Sequence, residues 1–182
     1  NDINYEQLAI DTGINNLASC VCTNNESFII DGKRLKSINQ YFNKQRAYYQ
    51  SKSPNNKYTK RLNNLQLRNK LKVEDYLNKA VSTLIKKCLK LNVDEIIIGY
   101  NKGIKKGGIK NTKLKGKKKK KTNQSFIQIP LSRFKDKLKL KAHENGIYVR
   151  IINESYTSKS SFYDNDPIVK GIYSGERITR SL

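Results

Sequence analysis

Tryptophan and methionine are absent from the 182 residues, histidine occurs once, and proline and cysteine occur three times each. These scarcities exclude several readings. Without Trp, and with no basic amphipathic helix showing a continuous apolar face, the chain is poorly suited to an anionic membrane surface. No run approaches the roughly 20 apolar residues that span a bilayer, and no signal-peptide pattern opens the sequence, so a soluble protein is expected. Cys20, Cys22 and Cys88 are odd in number and have no framework spacing. The first two share one face of an expected strand and the third lies on the apolar stripe of an expected helix, which predicts buried free thiols in a reducing compartment. Cys-x-Cys has no second pair and His143 stands alone on a polar helical stretch, so no zinc site is expected. The missing initiator Met and the early strand-like segment predict a part of a longer protein.

Acidic residues are also few: 15 Asp and Glu face 37 Lys and Arg, for a net charge of +22. An AT-rich genome, whose codons favour Lys and Asn, accounts for part of this excess. Lys without matching Glu still leaves a positive field that a polyanion would neutralise, and nucleic acid is the natural partner. Length and a 36% hydrophobic content allow one domain with a sizeable core.

Residues 5–10 (YEQLAI), 17–22 (LASCVC) and 27–30 (SFII) read as strands, the last two joined by a hairpin-like Thr23-Asn24-Asn25-Glu26. Leu35, Ile38, Phe42, Gln45 and Tyr49 recur at helical spacing until Ser53-Pro54-Asn55-Asn56 interrupts them. A longer helix follows, with Leu62, Leu65, Val73, Leu77, Ala80, Leu84, Cys88 and Leu91 near one face. "VDEIIIG" at 93–99 predicts a buried strand. From 101 to 125 the chain turns to Lys, Gly and Asn, which predicts a mobile basic loop whose Lys118 and Lys119 could touch phosphate. Pro130 suits the start of a helix running to about Glu144, with Gly146 as its stop. "IYVRII" at 147–152 is a further strand, and the remainder reads as a structured loop. The order predicts an α/β fold, a mixed sheet flanked by helices, with the layout of the ribonuclease H fold.

Phosphodiester hydrolysis by two metals needs carboxylates gathered from separate strand ends, and Mg²⁺ prefers such oxygen ligands. Asp11, ending the first strand in "LAIDTGINNLAS", is in the right kind of place, although a turn-forming Asp is commoner there. Glu154 follows the strand 147–152, where spacing alone favours a surface Glu. Asp164 and Asp166 in "YDNDP" read as turn residues. Asp94 and Glu95 begin their strand at the opposite end and should face away from such a site, and Asp31 should turn the chain toward the first helix.

Taken together, "AIDTGINNLAS", "RNKLKVEDYLNKA", "IIIGYNKG", "FIQIPLSRFKDKLKLKAHENGIYVRIINESYTSKSSF" and "YSGERITRSL" resemble the nuclease domain of the TnpB and Fanzor proteins, the OrfB group of insertion-sequence transposases. The likeness covers nearly the whole chain and is closest to the Fanzor-like branch. One departure is Asn78, where the family usually has His. The resemblance implies a ribonuclease H-like, RuvC-type fold and Mg²⁺-dependent cleavage, with Mn²⁺ as a substitute, of target DNA selected by a guide RNA. It implies Asp11 as the first metal ligand. The usual second ligand, a Glu ending the central strand, is replaced by Gly99 and Tyr100, and the relocated Glu of the Fanzor-like branch falls on Glu154. The third acid normally lies beyond Leu182, and an amino-terminal half for guide and target binding would precede this domain. Tyr156, Thr157, Ser158 and Lys159 would place the scissile strand or support the ligand, or else merely pack the loop. Arg177 and Arg180 would contact phosphate. Sequence would be read by guide pairing, with the protein sensing backbone and shape.

Three functions follow in order of expectation. The first is the nuclease domain of a mobile-element RNA-guided DNA endonuclease, and the second a nuclease-dead nucleic-acid-binding module of the same descent. A transposase acting by strand transfer ranks last, since no Tyr or Ser recombinase constellation is evident. The compartment would follow the host: cytoplasm or nucleoid in a bacterium or phage, nucleus in a eukaryote or its large DNA virus.

Overall fold

A computed structural model describes residues 5–53, 59–100 and 129–153. Alternating apolar residues build β1 (Gln7–Asp11) and β2 (Asn16–Cys22), and β3 (Ser27–Asp31) completes an antiparallel meander. The chain then forms α1 (Lys33–Ser51), α2 (Lys60–Lys90), β4 (Glu95–Tyr100), α3 (Leu131–Glu144) and β5 (Tyr148–Asn153). The strands lie in the order β3-β2-β1-β4-β5, with β4 parallel to both β1 and β5. This mixed five-stranded sheet with flanking helices is the ribonuclease H-like arrangement expected from the sequence. The expected basic loop at 101–125 lies outside the described residues.

One face of the sheet makes the core. Leu8, Ile10, Cys20, Cys22, Ile30, Ile96 and Ile98 point to it and meet Leu35 of α1, the Val73–Cys88 stripe of α2, and Phe134, Leu138 and Ala142 of α3. The opposite face carries Ala9, Val21 and Ile29, all exposed. A register shift between Asn16 and Ala18 interrupts the alternation, so that both Leu17 and Ala18 are fully buried.

Local chemistry sets the element ends. Asp31 turns the chain as expected, its carboxylate accepting the Lys33 N–H at 3.2 Å. Beside it Gly32 donates its amide to the Asn15 carbonyl at 2.8 Å, and a Cβ there would stand 2.4 Å from the Ile14 carbonyl oxygen. Only glycine fits that contact. Thr59 caps α2 by accepting the Leu62 N–H. Gly146, at φ +74°, ends α3 in the left-handed conformation that glycine adopts without cost.

Cys20, Cys22 and Cys88 are free and buried, as the sequence predicts. Burial pushes the Cys20 and Cys88 thiols up to about 12, and the thiolate is the reactive form. Titration of the native chain with a thiol reagent near neutral pH is therefore expected to find these thiols silent. All three should react at once in denaturant, and rapid native labelling would contradict the packing.

Candidate metal centre at one edge of the sheet

Because β1, β4 and β5 run parallel, their carboxyl ends reach the same edge. Ile10 pairs with Ile98, Ile98 with Ile151, Gly99 with Ile152, and Tyr100 with Asn153. Asp11 follows Ile10 directly and sits opposite Ser19 of β2. Strand alternation turns it to the face away from the helices, where it is exposed. Its carboxylate has no hydrogen bond or ion pair to any described residue. The chain leaves it through a tight turn in which the Gly13 N–H donates to the Asn16 carbonyl at 3.0 Å.

Adjacent strands lie about 4.8 Å apart, so the ends of β1 and β5 stand roughly 10 Å apart across β4. Gly99 brings no side chain between them. The β5 ladder continues to Asn153, so Glu154 is the next residue in the chain after the edge. Glu154 lies outside the described residues, as do Tyr156, Thr157, Ser158, Lys159, Arg177, Arg180, Lys118 and Lys119.

Sequence reasoning passed over Lys135. Its ammonium donates to the carbonyl of Gly99 and so places a cation at the end of β4, next to β1 in the sheet. One Lys among 37 basic residues carries no signal that would single it out.

Several other acids among the described residues are committed elsewhere. Glu95, only 4% exposed, starts β4 at the opposite edge. Arg150 grips both its oxygens, at 2.9 and 3.0 Å, and Gln7 adds a bond of 2.7 Å. Asp94 accepts the Glu6 N–H at 2.9 Å. Both face away from Asp11, as expected. On α2, Lys137 at 2.6 Å holds the Glu74 carboxyl below its usual range, with Arg133 adding to the effect.

The donor chemistry of Asp11 fits a hard divalent cation: an exposed carboxylate uncommitted among the described residues. Among the described residues it is a single carboxylate and not a ligand set, since no cluster of three or more His, Cys, Asp or Glu forms.

Comparison with solved structures agrees with this architecture. The chain resembles a protein in a Cas12f1–sgRNA–target DNA complex, with a TM-score of 0.58 and 16% identity over 86% of this chain and 37% of that one. It also resembles a protein in a CRISPR-Cas12f ternary complex, with a TM-score of 0.62 and 16% identity over 84% of this chain and 29% of that one. The chain thus spans well under half the length of either. Among curated protein sequences nothing matches. A family model does: residues 3–105, more than half of the chain and including β1 through β4, match OrfB_IS605, described as a probable transposase. On the strength of that match, the chain belongs to the OrfB_IS605 family of probable transposases.

Proposed function

We propose that this chain is the nuclease domain of a mobile-element RNA-guided DNA endonuclease, of the Fanzor-like branch, in which Asp11 and Glu154 hold Mg²⁺. The observation that carries the reading is Asp11 itself, an exposed carboxylate with no partner among the described residues, where the ends of β1, β4 and β5 converge. The family match and the Cas12f likeness support a guided nuclease, and one of those structures is a Cas12f1–sgRNA–target DNA complex. Guide RNA and target DNA are the proposed partners, together with an amino-terminal half of the same protein. The absence of a carboxylate at Gly99 and Tyr100, beside a Glu directly after β5, supports the Fanzor-like placement.

A divalent ion bound there would supply an activated water and charge stabilisation for the leaving oxygen. Asp11 contributes a hard, negatively charged oxygen at a solvent-facing edge. Gly99 leaves room for a phosphate backbone between the strand ends. The Lys135 ammonium offsets negative charge brought to that edge. A third acid, the hydroxyls of Tyr156, Thr157 and Ser158, and the cations Lys159, Arg177 and Arg180 belong to the same proposal.

The test is cleavage of a matched DNA by full-length protein loaded with its RNA. Cutting is expected with Mg²⁺, and with Mn²⁺ in its place, to vanish with chelator, and to return when Mg²⁺ is restored. The lack of a carboxylate at the carboxyl end of β4, at Gly99 and Tyr100, favours one second reading, a nuclease-dead binding module. RNA and DNA binding without cutting in any metal would select that reading.

A further inference from the structure

Between Asp31 and Glu74 the chain has no acidic residue, yet it carries twelve Lys and Arg. That stretch spans α1, the connection to α2, and the amino-terminal half of α2. The hairpin is only partly committed to the core, since α1 buries just Leu35 and Asn39. Where α1 packs along α2, a cleft of about 440 Å³ opens, with Tyr41 and Phe42 on one wall and Arg68, Asn69 and Lys72 on the other. Tyr41 is 59% exposed. Arg68 and Lys72, one helical turn apart, are exposed and pair with no acid among the described residues. Glu74, the first acid after the stretch, is already held by Lys137 and Arg133.

We propose that this cleft seats a single-stranded segment of RNA, with phosphates on Arg68 and Lys72 and a base against Tyr41. Charge complementarity selects a polyanion. The apolar, aromatic floor selects one with unstacked bases, because a duplex hides its base faces and a single strand offers them for stacking. Ser37 and Asn69 line the same cleft with groups that both donate and accept, which suits the 2′-hydroxyl of a ribose. A second cleft on the other side of the hairpin, about 470 Å³ and lined by Arg46 and Lys70, extends the cationic surface. The proposal deepens the guided-nuclease reading by giving RNA a seat apart from Asp11, and its test reads binding and not cutting.

The probe is a short fluorescein-labelled oligouridylate titrated with the full chain over a range of salt, beside the oligodeoxyuridylate of the same length. Neutralising two phosphate contacts in Arg68→Gln/Lys72→Gln should make the slope of log affinity against log salt shallower by about 1.4 and weaken binding about tenfold or more. The matched pair Lys86→Gln/Lys90→Gln, with the same spacing on the same helix, should leave the slope unchanged. Tyr41→Ala should weaken binding about fivefold or more, and Tyr41→Phe should restore it. All these side chains are exposed, so unchanged melting temperatures are expected throughout. Equal losses in the two charge pairs would overturn the seat, and equal affinity for the deoxy probe would overturn its assignment to RNA. Seat-independent binding with intact guided cleavage removes this proposal alone. Seat-dependent RNA binding without any cleavage supports it and removes only the nuclease reading.

Discussion

Asp11→Asn in the full-length protein is expected to lower guided, Mg²⁺-dependent cleavage by about 10³-fold or more. The substitution keeps shape and removes the charge. Asp11 ends β1 exposed and makes no bond to another described residue, so its replacement should shift stability by no more than about 0.5 kcal/mol. The pairing of loss of cutting with unchanged melting and unchanged RNA binding is what separates a ligand from a turn acid. Glu154→Gln should reproduce the loss. If both serve one metal centre, the double variant should be scarcely worse than either single one, because residues acting as a unit are strongly non-additive. Unchanged cutting by either single variant would remove that residue from the site.

The second large effect concerns packing. Phe134→Ala is expected to cost about 3–5 kcal/mol of unfolding free energy, read from the denaturant midpoint at constant slope. Phe134 is fully buried where α3 meets α2 and the sheet, and it is the largest side chain that is completely enclosed. The same helix carries Lys135, whose ammonium rests on the Gly99 carbonyl. Loosening α3 should therefore also disturb the edge at Asp11, and cleavage should fall further than the folded fraction. A loss below about 1 kcal/mol would mean that α3 is not seated as described.

The sheet was largely legible because its strands are local patterns. Leu8 and Ile10 alternate with more exposed neighbours, and Ile96, Ile97 and Ile98 form a β-branched run. The capping residues Pro130 and Gly146 bracket α3 as their chemistry predicts. The departures all arise from partners distant in sequence. Ile38, Phe42 and Tyr49 spell a helix, and α1 forms it, but the spacing does not say that its main contact is α2, where Phe42 and Tyr49 stay partly exposed. Glu95 reads as a charge at a strand start, whereas Arg150 and Gln7, far along the chain, enclose it. The bulge at Asn16–Ala18 leaves no mark in a sequence of ordinary strand residues. At the site, periodicity located Asp11 at a strand end and could not distinguish ligand from turn. Only the parallel pairing of β1 with β4 brings it level with the end of β5.

That parallel pairing also fixes an order in time. Glu6 and Asp94, joined across the start of the β1–β4 ladder, are 88 residues apart. At the usual pace of a ribosome the second strand leaves the peptidyl-transferase centre roughly 4–18 s after the first. During that interval β1, β2 and β3 can close as a meander and the α1–α2 hairpin can form, because their contacts are local. The cationic hairpin is therefore finished before the edge that bears Asp11 acquires its flanking strands. If the proposed RNA seat and nuclease site both hold, a nascent chain would bind RNA before it presents a completed edge, and cutting would await synthesis past β5.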